Sequence, residues 1–129
     1  MIVLDTSALV AILLGEPEAR DFADAIERHS PAIISAATIV ETSIVVESRK
    51  GEAAGRELDL LLYRAGIEIV PVDAEQADIA REAWRRYGKG RHTAGLNYGD
   101  CFAYALAKSS DAPLLFKGED FARTDVGVT

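Results

Sequence analysis

Short runs of apolar residues alternate along this chain with segments in which apolar residues recur every three or four positions. The runs cover residues 2–4, 32–34, 67–72 and 112–116. Such short apolar runs are typical of strands that are covered on both faces, as in a parallel sheet. The third run alternates in part and contains Pro71, so we expect its strand at or near an edge.

The segments between these runs are predicted to form helices. Their apolar residues would fall on one face of a helix, and residues that favour the capping position precede these segments. The helix predicted over residues 36–50 begins after Ser35 and ends at Gly51. Its expected buried stripe consists of Ala37, Val40, Ile44 and Val45. In the helix that Asp73 caps, we expect Trp84 to point inward.

Strands that alternate with helices imply right-handed crossovers and a parallel sheet with helices on both faces. The predicted fold is therefore a three-layer α/β/α arrangement around a mainly parallel sheet of four or five strands. Residues 125–129 would supply the fifth strand. A chain of 129 residues suits a single domain, and we assign residues 1–129 to one.

The composition and net charge of the chain argue against some classes of function and are compatible with others. The formal net charge of −7 argues against a protein that is held to nucleic acid by bulk charge. It agrees with a nuclease whose acids gather at a metal site, since bound cations reverse the local field. The single cysteine, Cys101, excludes an intramolecular disulfide and a cysteine-cluster metal site. The apolar runs are too short to cross a bilayer and the chain opens without a leader, so we expect a cytoplasmic protein.

Acidic residues are expected at the edge of the sheet where the parallel strands end. Asp5 directly follows the first strand, and Asp120 follows the fourth. Ligands of open α/β sheets bind at this edge. Glu41 follows the second strand within a helix, and Asp100 opens a later helix; both join the edge if their helices turn the right face inward. An alternative role for Asp5 is only to cap the helix that follows it.

A gathering of carboxylates predicts a metal site. Packed carboxylates repel one another unless cations neutralise them. A site of oxygen ligands without thiolates suits Mg²⁺ or Mn²⁺, and its natural chemistry is phosphodiester hydrolysis by metal-activated water. Thr6 and Ser7 are candidates to hydrogen-bond a ligand carboxylate or a bound water. No serine–histidine or cysteine–histidine pair competes for the role.

Four segments of the chain carry a resemblance to a known family. They are residues 1–9 (MIVLDTSAL), 38–41 (TIVE), 96–107 (LNYGDCFAYALA) and 114–121 (LLFKGEDF). In these segments and their spacing, the sequence resembles PIN-domain ribonucleases, specifically the VapC-type toxins of bacterial toxin–antitoxin pairs. The likeness extends over essentially the whole chain.

The resemblance implies a PIN-like α/β/α domain with Mg²⁺- or Mn²⁺-dependent endoribonuclease activity. It also implies a homodimer and inhibition by a cognate VapB-like antitoxin. The catalytic and metal-binding acids of the family fall on Asp5, Glu41, Asp100 and a fourth position near residue 120. At that position either Glu119 or Asp120 is the acid, and we favour Asp120.

Further residues are candidates for supporting roles. Asn97 either supports a ligand carboxylate or only caps a helix. A basic, glycine-rich stretch either contacts RNA phosphates or is simply solvated. Its candidate residues are Arg85, Arg86, Lys89, Arg91 and His92. The expected substrate is single-stranded or looped RNA, since such segments can be threaded past the edge of the sheet.

Two other functions remain open. A phosphoacceptor receiver domain also has acids at strand ends, Mg²⁺ and a late lysine, for which Lys117 qualifies. Its acceptor would end the middle strand, yet Asp73 resembles a helix cap, and no adjacent pair of acids follows the first strand. The second alternative is a catalytically inactive PIN fold that only binds proteins, and the four filled acid positions argue against it.

Overall fold

The structure, a computed structural model, describes residues 1–128 and consists of a four-stranded sheet with helices packed on both faces. In chain order the elements are β1 (Ile2–Leu4), α1 (Thr6–Leu13), α2 (Ala19–Arg28), β2 (Ala32–Ser35), α3 (Ala36–Lys50), α4 (Glu52–Arg64), β3 (Glu68–Val70), α5 (Ala74–Tyr87), α6 (Tyr98–Ser109), β4 (Leu114–Leu115) and a 3₁₀ turn (Phe121–Arg123). The predicted alternation of strands and helices is confirmed. None of the helices in residues 1–128 combines the length and the apolar character that a membrane span requires.

The sheet has the strand order β3–β2–β1–β4, and every pairing is parallel. β1 is central, since Val3 pairs with Ile33 on one side and with Leu114 on the other. β3 lies at an edge, as predicted. Where a fifth strand was an option, Val128 forms only an isolated parallel bridge with Leu114; Thr129, the last residue of that option, lies outside the described residues.

The side chains of β1 point alternately into two hydrophobic cores, one on each face of the sheet. Val3 packs with α5 and α6 on one face of the sheet, whereas Ile2 and Leu4 pack with α1, α2 and α4 on the other. All three side chains are fully buried. Because successive side chains of a strand point to opposite faces, this short strand holds both helical layers, and the predicted three-layer architecture is confirmed.

The stripe predicted to be buried on α3 is wrong at two positions. Val40 and Ile44 are 59% and 62% exposed. The buried side chains of this helix are instead Thr38, Thr42 and Val46. The Thr42 hydroxyl can face inward because it finds partners there: Thr42 Oγ1 lies 2.8 Å from the Thr38 carbonyl oxygen and 3.1 Å from Thr6 Oγ1. The Thr38 hydroxyl is buried and has no hydrogen-bond partner among the described residues. The hydrogen bonds of Thr42 thus connect the inner face of α3 to α1, and the apolar side chains of Val40 and Ile44 meet solvent.

The inward orientation predicted for Trp84 is also wrong. Its side chain is 46% exposed, whereas Ala80 and Ala83 of the same helix are buried. Small alanine side chains form the side of α5 that packs in the core, and the indole lies outside it. There the guanidinium of Arg91 stacks on the indole, 4.7 Å from the ring centroid.

Candidate active site

Asp5 stands where β1 ends and α1 begins, and its two carboxylate oxygens differ. The backbone N–H of Asp5 donates to the Leu115 carbonyl oxygen in β4 (3.0 Å), which fixes its position in the sheet. Oδ2 accepts from the backbone N–H (3.0 Å) and the hydroxyl (2.6 Å) of Ser7. Oδ1 is buried and has no hydrogen-bond partner among the described residues. Asp5 thus caps α1 with one oxygen, while its other oxygen is buried without a partner.

Glu41 reaches the same edge from α3 and is held by a hydroxyl. Thr6 Oγ1, in the first turn of α1, lies 2.7 Å from Glu41 Oε1 and donates to it. The buried Thr42 hydroxyl lies 3.1 Å from the same Thr6 oxygen, which connects α3 to α1 a second time. The predicted condition for Glu41, that its helix turns the right face inward, is met through this threonine pair.

Asp100 belongs to a capping box at the start of α6. Asn97 Oδ1 accepts from the Asp100 backbone N–H (2.9 Å), and Asp100 Oδ2 accepts from the Asn97 backbone N–H (3.0 Å). Asn97 therefore is a helix cap, and through the reciprocal bond it also orients the Asp100 carboxylate. The capping role of Asn97 is confirmed, and its role in supporting a metal ligand stays a prediction.

Three of the predicted acids line one open cleft, which we call the acid cleft and define by Asp5, Glu41 and Asp100. Its volume is about 340 Å³. Other residues that line it are Thr6, Ser7, Val10, Glu16, Val45, Arg49 and Lys117. Within residues 1–128, no three acidic, histidine or cysteine side chains stand close enough together to hold a metal ion. In this conformation each acid of the cleft is held instead by a neighbouring donor.

Electrostatic strain is concentrated in the acid cleft. Burial raises the pKa of Asp100 to about 7, opposed by its bond from Asn97 and reinforced by the charges of Asp5, Glu41 and Asp120. Burial also raises the pKa of Asp5, against the two bonds from Ser7 and with a contribution from Glu41. Groups that repel each other in this way are stabilised by a bound cation.

The fourth acid lies at the margin of the cleft. Asp120 is exposed, directly before the 3₁₀ turn, and does not line the cleft with the other three. Its charge nevertheless acts on Asp100, whereas no such effect of Glu119, also exposed, is found. This difference favours Asp120 over Glu119 as the fourth acid.

Sequence reasoning considered Lys117 only for the receiver alternative and did not place it at the acid cleft, which it lines. Lys117 Nζ lies 3.1 Å from Glu16 and 3.3 Å from Glu18 in a paired salt bridge. The backbone N–H of Lys117 donates to Ser7 Oγ (2.9 Å), the hydroxyl that bonds Asp5. Its position directly after β4 was the available signal, because all parallel strands end at this edge. No comparable signal pointed to Glu16, which follows α1.

The basic stretch lies outside the acid cleft. None of Arg85, Arg86, Lys89, Arg91 and His92 lines it. Arg91 Nε donates to the Arg85 carbonyl oxygen (3.1 Å) and stacks on Trp84, while Arg86 donates to the Tyr87 hydroxyl (2.9 Å). His92 Nδ1 accepts from the Ala94 backbone N–H (2.9 Å), so that this nitrogen serves the loop rather than the cleft.

An oxygen-only donor set and an unpartnered buried oxygen on Asp5 fit a hard divalent cation such as Mg²⁺ or Mn²⁺. No cysteine or histidine side chain lines the acid cleft. Asp5, Glu41 and Asp100 are the acidic side chains of the cleft that would have to converge on such an ion, and the charge of Asp120 acts on Asp100.

Comparison with known proteins gives concordant results. The family model described as PIN domain matches residues 2–127. A protein of Mycolicibacterium smegmatis named ribonuclease VapC is 63% identical over 124 residues, which cover 96% of each chain. The crystal structure of Mycobacterium tuberculosis VapC20, described as a sarcin–ricin loop cleaving toxin, superposes with a TM-score of 0.81 at 17% identity, covering 100% of this chain and 98% of that one. A toxin–antitoxin complex from Klebsiella pneumoniae gives a TM-score of 0.76 at 20% identity, covering 100% and 97%.

Proposed function

We propose metal-assisted hydrolysis of RNA phosphodiester bonds at the acid cleft of this chain, which belongs to the PIN-domain family and, within it, to the VapC ribonucleases. The observation that carries the proposal is the convergence of Asp5, Glu41 and Asp100 on one cleft, with a buried Asp5 oxygen left without a partner. When bound, Mg²⁺ or Mn²⁺ supplies a Lewis acid that makes water nucleophilic near neutral pH and neutralises charge on the phosphate.

The residues around the acids prepare them for this role. Ser7 holds Oδ2 of Asp5, so that Oδ1 faces the ligand position in a fixed orientation. Thr6 holds Glu41 in the cleft. Asn97 orients Asp100, whose pKa of about 7 lets it hold a proton when no cation is bound. Metal binding must displace that proton, so metal affinity increases with pH through this range.

Negative charge in the cleft requires basic residues along the RNA path. Lys117 and Arg49 line the cleft itself, and the side chains of Lys89 and Arg91 are exposed outside it. The substrate is single-stranded or looped RNA, whose backbone bends into an open cleft. Replacing Lys89 by alanine is expected to weaken RNA binding and to lower the slope of log affinity against log salt by about 1.

A second copy of this chain covers the apolar face, which we define as Val40 and Ile44 of α3, Trp84 of α5, and Tyr98 and Phe102 of α6. Tyr98 is 81% exposed, and Phe102 joins it in lining two cavities of about 530 and 280 Å³. Monomeric proteins seldom expose so continuous an apolar surface. Glu41 lines one of these cavities as well as the acid cleft, so the partner subunit would border the RNA path.

The homodimer has a direct test. Ile44→Asp places a charge in the centre of the apolar face and is expected to convert a dimer into a monomer in size-exclusion chromatography with light scattering. Glu57→Lys, an exposed change on α4, is the matched surface control. A wild-type protein that is monomeric, or an Ile44→Asp variant that stays dimeric, contradicts this assignment.

A cognate VapB-like antitoxin is the proposed inhibitor, and the protein would act in the cytoplasm, where both partners occur. A structural neighbour of this chain is a toxin–antitoxin complex, and the acid cleft is complementary to a lysine or arginine side chain of a partner. Such a cation would compete with the metal for Asp5 and Asp100. The resemblance to VapC toxins leads us to expect a short antitoxin reading frame next to the gene, and co-expression of its product is expected to suppress growth arrest and RNA cleavage together.

The central experiment is RNA cleavage with Mg²⁺ or Mn²⁺, with and without EDTA, by the wild type and by Asp5→Ala. Cleavage by the wild type that EDTA abolishes and that Asp5→Ala lacks supports the proposal. Equal cleavage by both proteins, or none with any metal, contradicts it. Addition of Mn²⁺ near millimolar is also expected to raise the melting temperature of the wild type, because the folded state alone offers the site.

The receiver alternative is not supported by the site. Asp73 Oδ1 accepts from the Gln76 backbone N–H (2.9 Å) and caps α5, at the edge strand rather than the centre. Lys117 is engaged by Glu16 and Glu18. The inactive PIN alternative predicts that the cleavage experiment gives no product although the protein binds its partners.

A further inference from the structure

Gly99 lies in the first turn of α6, between Tyr98 and Asp100, and faces the carboxylate of Glu41. A β-carbon built on Gly99 would lie 2.5 Å from Glu41 Cδ and 2.6 Å from Oε1, and closer still to Oε2. The backbone of Gly99 is not in the left-handed region that favours glycine. Space, and not backbone conformation, is therefore what this position requires.

We propose that Gly99 is a positioning residue: its missing side chain leaves the room in which the Glu41 carboxylate lies against α6 and inside the acid cleft. The carboxylate is confined by two neighbours, the Thr6 hydroxyl at 2.7 Å and the backbone of α6 at Gly99. A methyl group at residue 99 would occupy the space between the Glu41 carboxylate and the backbone of α6. The carboxylate must then leave the Thr6 hydroxyl and rotate out of the cleft.

The fold itself tolerates the same change. The atoms that a new β-carbon meets are the end of a flexible, partly exposed side chain, which can move without disturbing the backbone. Alanine also favours helix more than glycine does. Gly99→Ala is thus expected to keep the melting temperature of the wild type in EDTA, or to raise it, while the site loses one of its acids.

A matched control exists on the neighbouring helix. Gly55 in α4 also faces a glutamate, and a β-carbon built there would lie 2.6 Å from Glu47 Oε2 and 2.8 Å from Cδ. Neither Gly55 nor Glu47 lines the acid cleft. Gly55→Ala therefore reproduces the helix propensity and the crowded carboxylate, but away from the site.

The test measures Mn²⁺ affinity by calorimetry for the wild type, Gly99→Ala and Gly55→Ala. This affinity measurement rests on the proposed metal site. Displacement of a group that supports a metal site weakens affinity by about 10- to 100-fold, which is the loss expected for Gly99→Ala, with no change for Gly55→Ala. Glu41→Asp shortens the acidic side chain by one methylene. As a single substitution it is expected to weaken Mn²⁺ binding. Combined with Gly99→Ala, it is expected to recover part of the Mn²⁺ affinity that Gly99→Ala loses. A structural defect would not be rescued in this way.

A crystal structure of Gly99→Ala in EDTA separates this inference from the metal proposal. Loss of the Thr6–Glu41 bond in that structure supports the role of Gly99, whether or not the wild type binds Mn²⁺. Absence of Mn²⁺ binding by the wild type then contradicts the metal site alone. A Glu41 that still bonds Thr6, an affinity that Gly99→Ala leaves unchanged, or an equal loss in Gly55→Ala overturns the inference.

Discussion

The helices α1 and α5 begin with the same capping arrangement, but their capping aspartates differ in burial and in their place in the sheet. In each, an aspartate follows a strand and caps a helix: Asp5 accepts from Ser7, and Asp73 accepts from Gln76. Asp5 ends the central strand, is 4% exposed and keeps a buried oxygen without a partner, whereas Asp73 follows the edge strand and is exposed. The place of a strand in the sheet, rather than the capping motif, separates a candidate metal ligand from a structural residue.

The two helix starts also differ in the residues that follow the cap. Thr6 and Ser7 come after Asp5, and their hydroxyls bond Glu41 and Asp5. Ala74 and Glu75 come after Asp73, and no side-chain bond of theirs to another acid is found. Hydroxyls in the first turn thus connect α1 to α3 and, through Ser7 and Lys117, to the segment that follows β4, while α5 has only its cap.

The largest expected difference between the two starts is in activity. Asp5→Asn keeps a cap of equal quality but removes the charge that would hold a cation, so RNA cleavage should fall at least about 1,000-fold. Asp73→Asn should cleave at the wild-type rate. Initial rates of RNA cleavage under saturating Mn²⁺ measure both. Cleavage at the wild-type rate by Asp5→Asn as well would show that Asp5 acts only as a cap.

A smaller difference is expected at the third residue of each motif. Ser7→Ala removes the hydroxyl that bonds Asp5 and accepts from Lys117, so metal affinity and cleavage should each fall about 10- to 100-fold. Glu75→Ala at the matching position of α5 should change neither by more than about twofold. Calorimetric Mn²⁺ titration and cleavage rates test the pair. A silent Ser7→Ala would mean that the backbone N–H of Ser7 holds Asp5 by itself.

The acid cleft also predicts a pH dependence of stability. Burial raises the pKa of Asp100 in the folded protein to about 7. The unfolded chain therefore releases this proton at a lower pH than the folded protein does, and the free energy of unfolding decreases as pH rises from the unfolded pKa to about 7. The metal-free protein should lose on the order of 1–2 kcal/mol of unfolding free energy between pH 4 and 7, since partial exposure screens the group. Urea unfolding in EDTA at several pH values measures this. Asp100→Asn should reduce the slope, while Asp5, whose pKa is also raised by burial, keeps a slope of the same sign. An unchanged slope in Asp100→Asn would contradict the assignment to Asp100.

The smallest effect is expected at the start of α5. Asp73→Ala removes the cap and should cost about 1 kcal/mol of unfolding free energy, while Asp73→Asn should cost almost nothing. Cleavage by both variants should equal that of the wild type. Denaturant midpoints give the comparison. A loss of activity in Asp73→Ala without a loss of stability would assign a functional role to the edge of the sheet.

Local elements of the fold could be predicted from residue patterns alone. Apolar runs indicated the strands, and Ser35 and Asp73 cap their helices as predicted, because capping depends on a side chain and the few backbone groups beside it. For Asn97, the structure confirms capping, one of the two roles left open. The motifs also placed Asp5, Glu41 and Asp100 in one family pattern, and the structure brings these three to one cleft. Their roles as ligands stay a prediction.

Only the tertiary structure decided which sides of the elements face each other. On α3, Thr42 faces inward and Val40 faces outward, because the Thr42 hydroxyl finds partners on α1 and on its own helix. Strand order made Asp5 central and left Asp73 at the edge, although both have the same local sequence design. The close approach of Gly99 to Glu41 likewise arises between helices far apart in sequence. Residue patterns record local preferences, whereas these contacts depend on how whole elements pack.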